Sequence, residues 1–395
     1  MNVVIALASS SGQLSGVQRH AISLARCLLM RPEIAAVHLL AAPWQQEFVQ
    51  DSAPIADGRF HLHSVPIGND ALSRNLWYYN GLPRLARELD ADIVHLAYPA
   101  PVKRRAFHCP TVVTLHDLYP YDIPENFGFP KVFFNRLVLR RCLNLVDAIA
   151  CVSQCTLLRL KEMDPNLLPR RARVIYNSVE QPTMHFSETA RPPWASQPFL
   201  LCVAQHRRNK NLPLALQVFE RLLRTGQLPS YTRLLIVGIQ GPETSTIEQL
   251  VTTAGLTQSV SFLNGISDEL LYWCYRNCLL LLAPSAIEGF GLPIAEALLA
   301  GCRIVCSDIP AFRELGGSHC DYVPLGPHQI EAFADAVRAA AGRGARESVA
   351  MPQLSAPVIA GQYMQLYRSL LSTPDAAADA QETSFLSSRE RRYTI

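Results

Sequence analysis

Residues Leu281–Ala300 read LLAPSAIEGFGLPIAEALLA. An apolar run ends at Ala283 and Pro284, as a β-strand would. A loop follows with Glu288-Gly289-Phe290-Gly291, and a helical pattern opens near Leu292. Pro293 sits in the first turn, where its missing N–H costs nothing, and Glu296 lies about one turn further in. Glycines at 289 and 291 permit tight turns and let a ligand approach main-chain N–H groups. The start of a helix adds partial positive charge, which suits an anion. Two carboxylates beside an anion site would repel phosphate. They fit a ligand that also carries hydroxyls, because a carboxylate accepts hydrogen bonds from them, and sugars and riboses supply such groups.

The same strand–loop–helix rhythm runs outward in both directions. Toward the C-terminus of the quoted stretch lies the strand candidate Ile304–Ser307, and before it lie Phe199–Val203, Leu234–Val237, Val260–Leu263 and Leu279–Ala283. Helical patterns at Leu212–Leu223, Glu248–Ala254, Asp268–Tyr275, Pro293–Ala300 and Gln329–Ala341 alternate with these strands. The first half repeats the alternation with strands at Val3–Ala8, Val37–Ala41, Phe60–Val65, Ile93–Leu96, Val112–Leu115 and Ala148–Val152, and a helix at Val17–Leu29. Alternation of this kind predicts parallel sheets with helical crossovers. Between the halves, Glu180–Pro198 is polar and carries Pro182, Pro192, Pro193 and Pro198, the composition of a linker. The expected organisation is therefore α/β. A Rossmann-like domain spans residues 1–180, a linker 181–198, and a second Rossmann-like domain 199–355. A C-terminal helix over 356–372 packs back on the first domain, and residues 373–395 form a disordered tail. Ligands of doubly wound sheets bind beyond the carboxyl ends of the strands, so the cleft between the domains is the expected site.

The chain has 395 residues, 49% apolar and 17% charged, a composition that excludes a disordered protein. Its net charge of +3 is too small for a nucleic-acid binder. No apolar run reaches the ~18 residues of a membrane span, and MNVVIALASSSG lacks a basic leader and reads as a first strand. The 11 cysteines sit mostly in apolar runs and lack metal-site spacing, which predicts reduced, buried thiols. A cytoplasmic protein is expected, with peripheral contact to the anionic inner face of the membrane. That contact is suggested by residues 1–180, where 19 Lys and Arg face 15 Asp and Glu. The surplus concentrates in Lys103-Arg104-Arg105 and in PKVFFNRLVLRRCLNLV, a helix opened by Pro130. Its apolar face is predicted at Val132, Phe133, Leu137, Val138 and Leu145, with Lys131, Arg136, Arg140 and Arg141 on a basic face. The latter face would be solvated or would approach lipid headgroups. Asp90-Ala91-Asp92 reads as D-x-D, but one such triplet supplies too few oxygens for a metal.

Glu288-x7-Glu296 within PSAIEGFGLPIAEALLAG resembles the signature of retaining glycosyltransferases of family 4, which have the GT-B fold. SFLNGISDELLYWCYRNC before it, CRIVCSDIPAFRELGG after it, and the basic loop CVAQHRRNKNL extend the resemblance through the second domain. In the first domain, SGVQRHAISLARCL, VVTLHDLYPYDIPENF and RVIYNSVE are similar to the family's Gly-rich first loop, its HD-type loop and the segment closing the domain. The resemblance covers about residues 1–372. It implies that Glu288 contacts hydroxyls of the transferred sugar, with the N–H groups of Phe290 and Gly291 and the adjoining Leu292 nearby. Glu296 would take the ribose hydroxyls. Lys210 aligns with the family's phosphate lysine. Arg207 and Arg208 are both candidates for its partner arginine, Arg207 being favoured, because Ala204-Gln205 replaces the family's more common residues. Gly16 would present its N–H to the donor phosphate or acceptor, although Ser15-Gly16 departs from the usual Gly-Gly. Gly12-x3-Gly16 does not fit a dinucleotide fingerprint. His116 would touch the sugar or phosphate as a hydrogen-bond donor, and Asp117 would orient a loop.

The implied function is transfer of a hexose-type sugar from a nucleotide-diphosphate donor to a hydroxyl of a glycan or lipid-linked acceptor. Configuration is retained, and neither cofactor nor metal takes part. Cations on the protein then stabilise the leaving diphosphate. Surface-polysaccharide or glycolipid synthesis is the family's usual setting. A non-catalytic partner protein of the same fold and a nucleotide-sugar epimerase are the alternatives; intact carboxylates and basic loop favour the transferase. Glu288→Ala and Lys210→Ala are expected to lose orders of magnitude in turnover with little change in melting temperature.

Overall fold

The computed structural model describes residues 1–13, 15–52, 55–165, 171–182, 192–344 and 347–372. The tail expected at 373–395 and much of the linker lie outside these residues.

Two parallel sheets form, and the apolar runs of the sequence supply their strands. The first contains β1 (Asn2–Ala6), β2 (Ala36–Ala41), β3 (Phe60–Ser64), β4 (Ile93–Leu96), β5 (Thr111–Leu115), β6 (Ala148–Cys151) and β7 (Ala172–Val174), in the order β3-β2-β1-β4-β5-β6-β7. The second contains β8 (Phe199–Val203), β9 (Arg233–Val237), β10 (Val260–Leu263), β11 (Leu280–Ala283), β12 (Ile304–Ser307) and β13 (Asp321–Val323), in the order β10-β9-β8-β11-β12-β13. Central strands such as β4, β5 and β6 are buried at every position, because helices cover both faces of a parallel sheet. Each sheet reverses direction of build beside its first strand, which opens a crevice there at the carboxyl ends.

Each sheet has a core on either face. In the first domain Val3, Ile5, Leu28 and Leu39 occupy one side, and Val4, Ala6, Val94 and Leu143 the other. The helix Ala356–Leu371 follows the second sheet in sequence but packs in the first domain. Ile359, Tyr363 and Tyr367 are buried with Ile5 and Leu28. The Tyr367 hydroxyl meets His95 Nδ1 at 2.7 Å.

The helix Lys131–Leu145 differs from the sequence expectation. Leu139, Cys142 and Leu143 face the sheet, whereas Phe133, Leu137 and Leu145 are exposed. Apolar residues surround this helix on several sides, so spacing alone could not choose the buried face. The eleven cysteines are free thiols. Asp92 accepts a hydrogen bond from the Asn2 N–H, and Asp90 takes a left-handed backbone conformation, so the D-x-D triplet serves a turn.

Candidate active site

The loop between β11 and the helix Leu292–Leu299 meets the first domain directly. A side chain at Gly289 would place its Cβ 1.8 Å from the His116 carbonyl oxygen, so only glycine permits this approach. The Gly289 carbonyl accepts hydrogen bonds from the Ser153 hydroxyl and, at 3.0 Å, from the Thr156 hydroxyl. Gly291 adopts φ +100°, a left-handed conformation that turns the chain into the helix. Its neighbour Phe290 buries its ring in the second domain's core, leaving only its backbone for a ligand.

Glu288 is the centre of a polar cluster drawn from both domains. Lys210 Nζ donates to both of its carboxylate oxygens, at 2.6 and 2.7 Å. The Glu288 and Lys210 side chains are 8% and 19% exposed, so this ion pair is largely withdrawn from water. The Tyr119 hydroxyl donates to Glu288 at 3.3 Å. Asn209 reaches the Tyr119 oxygen at 3.2 Å and the Ile287 carbonyl at 3.3 Å. The Asn209 carbonyl also accepts from the Ala286 N–H, tying the basic loop to the Glu288 loop. Arg207 is partly buried, and its Nε has no hydrogen-bond partner among the described residues; Arg208 is exposed. Arg207, Lys210 and Glu288 all act electrostatically on Asp117. Burial nonetheless pushes the Asp117 carboxyl up to about 6.

His116 stands at the end of β5 and is neutral, because burial lowers it to about 4. Its Nε2 lies 2.9 Å from the Ala97 carbonyl, an acceptor, so Nε2 carries the proton. Nδ1 is then left as an acceptor. This geometry opposes the donor role that the family resemblance implies: the ring can receive a hydrogen bond from a hydroxyl but has no second N–H to give. His20 packs edge-on against His116, with centroids 4.9 Å apart, and is held by Asn177 and Thr114.

Glu296 lies one helix turn beyond the loop. It accepts a 2.8 Å hydrogen bond from Tyr275, and burial raises its pKa. Glu296 and Leu292 line a cavity of about 730 Å³ between the domains. Arg19 and His20 from the helix Gly16–Leu29 form its opposite wall, with Gly265 and Tyr272 at another side. Arg19 also pairs across the cleft with Asp268 at 2.7 Å. Glu288 and Lys210 are not in this cavity's lining; along the chain the helix start at Gly291–Leu292 lies between Glu288 and Glu296. Gly16 opens its helix with free space where a side chain would stand.

The structure therefore brings Glu288, Lys210, Arg207 and His116 to one loop junction, and Glu296 and Leu292 to the adjoining cavity. Tyr119, Asn209, Arg19 and Tyr275 belong to the same site and were not singled out by sequence. For Tyr119 and Asn209 the available signal was position: each is within three residues of a chosen residue, His116 or Lys210. Among the described residues no group of three or more His, Cys, Asp or Glu side chains is arranged to hold a metal ion.

Comparison with known proteins identifies the family and the fold. The model of glycosyl transferases group 1 matches residues 187–343, and that of Glycosyltransferase Family 4 matches residues 14–181. The O-antigen chain mannosyltransferase RfbU of Salmonella typhimurium is 26% identical over 208 residues, 51% of this chain and 53% of that protein. The chain thus spans about half the length of that relative. A GDP-mannose:cellobiosyl-diphosphopolyprenol alpha-mannosyltransferase of Xanthomonas campestris is 27% identical over 345 residues, 83% of this chain and 87% of that protein. The crystal structure of WaaG, a glycosyltransferase involved in lipopolysaccharide biosynthesis, superimposes with a TM-score of 0.65 at 19% identity, covering 93% of this chain and 97% of its own. Sucrose-phosphate synthase from Thermosynechococcus elongatus gives 0.70 at 16% identity, covering 94% and 99%. The fold shared with these structures is GT-B.

Proposed function

Because the chain belongs to the family 4, group 1 glycosyltransferases, we propose that it transfers a mannosyl residue from GDP-mannose to a hydroxyl of a lipid-linked glycan, with retained configuration and without a metal. The names of two sequence relatives, an O-antigen chain mannosyltransferase and a GDP-mannose-dependent mannosyltransferase, support this choice of sugar and nucleotide and a setting in surface-polysaccharide synthesis. The observation that carries the reading is the contact of Lys210 with Glu288 in the loop that leads into the helix Leu292–Leu299, which carries Glu296 one turn in, at the wall of the cavity.

In this reading the nucleoside occupies the cavity, with the ribose hydroxyls on Glu296. The diphosphate lies across the N-terminus of the helix Leu292–Leu299, near Lys210 and Arg207. The buried, unpartnered Nε of Arg207 favours it over exposed Arg208 for this contact. Donor binding draws Lys210 from Glu288 to phosphate and frees the carboxylate for sugar hydroxyls. His116 Nδ1 accepts a further hydroxyl. The bond from C1 to the diphosphate oxygen breaks, the acceptor oxygen bonds to C1 on the same face, and the acceptor's proton passes to the leaving phosphate. Lys210 and Arg207 stabilise the charge that develops there. Contact between the domains limits water and so hydrolysis of the donor.

Calorimetric titration with GDP, UDP, ADP and TDP, with and without EDTA, tests the reading. GDP should bind best and be indifferent to EDTA, and GDP-mannose turnover should yield an α-linked product by NMR. Preference for another nucleotide, dependence on metal, or an inverted product would each overturn the corresponding part.

A further inference from the structure

Four arginines among the described residues hold a buried guanidinium nitrogen that lacks a hydrogen-bond partner: Arg31, Arg74, Arg207 and Arg233. Arg31 and Arg233 bond through their other nitrogens. Arg207 stands at the proposed donor site. Arg74 belongs to the first domain, in the helix Ala71–Leu76, and among the described residues no hydrogen bond or ion pair engages its side chain. Asp70, one turn earlier, serves as the helix cap, its carboxylate accepting from the Ser73 N–H at 2.8 Å. A buried cationic nitrogen without an acceptor is costly, and such an exception calls for a partner that the chain itself does not supply.

Arg74 stands at the point where the strand order of the first sheet reverses. Ala8 follows β1 and Tyr98 follows β4, the two strands that flank this point. The Tyr78 and Tyr98 hydroxyls both donate to the Ala8 carbonyl, at 3.0 and 2.5 Å. Burial raises the pKa of both, and the charge of Arg74 acts on each in the opposite direction, so the guanidinium lies near the two hydroxyls. Ligands of doubly wound sheets bind at such a point. Neighbouring polar groups are matched within the chain. Both hydroxyls give their protons to Ala8. The Ser9 N–H donates to Gln45, the Ser9 carbonyl accepts from Trp44, and the Ser9 hydroxyl oxygen accepts from Gln45. Arg74 is left over, and a guanidinium presents paired N–H donors that fit a phosphate. Lys103, in the loop after Tyr98, is exposed, and its Nζ lies 5.5 Å from the centre of the Tyr79 ring, so a second cation stands against the same helical segment. Two positive charges suit a phosphate better than the single charge of a sugar carboxylate. His116 donates to the carbonyl of Ala97, the residue before Tyr98, which sets this point on the first-domain side of the reacting centre. We propose that Arg74, with Lys103, binds a phosphate group of the acceptor, while the donor's diphosphate is left to Lys210 and Arg207. The word acceptor rests on the transferase reading; the anion site stands on the geometry alone.

Calorimetric titration of the full chain with inorganic pyrophosphate, in saturating GDP, tests it. With the donor site filled, wild type should still bind a single pyrophosphate. Arg74→Gln should weaken this binding by about tenfold or more. Arg74→Lys should restore only part of it, because the paired donors are missing. Lys103→Gln should weaken it less and reduce its salt dependence. GDP affinity should be the same in all of these proteins. Arg74→Gln should melt no lower than wild type, since it removes an unpaired buried cation; a lower melting temperature would mark Arg74 as structural. Wild type in GDP that binds no pyrophosphate, Arg74→Gln that binds it as wild type does, or tighter binding of glucuronate than of pyrophosphate would overturn the proposal. If wild type does not bind GDP, the donor reading fails, and the comparison of wild type with Arg74→Gln in pyrophosphate alone still decides for or against the anion site.

Discussion

Lys210 and Glu288 hold one another in a site with little water, so neither can be removed without consequence for its partner. Lys210→Ala leaves a carboxylate at 8% exposure with, among the described residues, only the long Tyr119 contact. The expectation of an unchanged melting temperature is therefore corrected: stability should fall by about 1–3 kcal/mol, the cost of a stranded buried polar group. Turnover should fall about 100- to 1,000-fold, as when one donor to a developing oxyanion is lost. The double variant Lys210→Ala/Glu288→Ala should regain part of the stability and none of the turnover. Urea melts and initial rates measure both. A double variant no more stable than Lys210→Ala would show that the pair is not coupled. The residues of this pair were legible in sequence, because Glu288 lies in a specific motif and Lys210 in a basic loop. Their contact was not, since 78 residues separate them.

Elements were legible where they are long or fully apolar. Strands such as Ile93–Leu96, Phe199–Val203 and Ile304–Ser307 agree with the structure residue for residue. The edge strands Ala172–Val174 and Asp321–Val323 went unpredicted, being three residues long and only partly buried. The helix Gln154–Met163 was also missed. Its start at Ser153 is completed by the other domain, where Glu314 accepts from the Gln154 and Cys155 N–H groups at 2.7 and 2.9 Å. The C-terminal helix Ala356–Leu371 had clear bounds in sequence, and its partner came from tertiary structure. Tyr367 closes over His95, which also meets Thr114 at 2.8 Å. Burial lowers His95 to about 3 in the folded chain, against about 6.5 when unfolded. The unfolded chain thus binds the proton first. His95's contribution is fully present above pH ~6.5 and is lost as pH falls toward 3, on the order of 2 kcal/mol by pH 5. Melts at pH 7.5 and 5 should show this loss, and His95→Gln should lose less between the two. Equal pH dependence in both proteins would contradict the assignment.

At the scale of the molecule, the contacts that bring the domains together include Gly289 against His116, Tyr119 with Glu288, Glu314 on the helix Gln154–Met163, and Arg19 with Asp268. The Gly289 contact admits no side chain. Gly289→Ala should hold the domains apart, increase the radius of gyration measured by small-angle scattering, and reduce turnover about 100-fold, the scale set by a displacement of roughly 1 Å at a reacting centre. Nucleotide binding should change less, because Glu296 and Tyr275 both belong to the second domain. An unchanged scattering profile with normal turnover would mean that this contact is not used in the reaction cycle.

Local chemistry was written in the chain itself. Apolar runs, helix periods and the Glu288–Glu296 spacing determine two parallel α/β domains and the placing of two carboxylates about a glycine-rich helix start, because these depend on neighbours within one strand, loop or helix. Decisions between distant segments needed the folded structure. The proton on His116 is placed by Ala97, and the charge of Lys210 is met by Glu288. The buried side of the helix Lys131–Leu145 is chosen by the sheet beneath it. Hydrogen bonding, ion pairing and burial act over a few ångströms, and only the tertiary fold brings such residues that close.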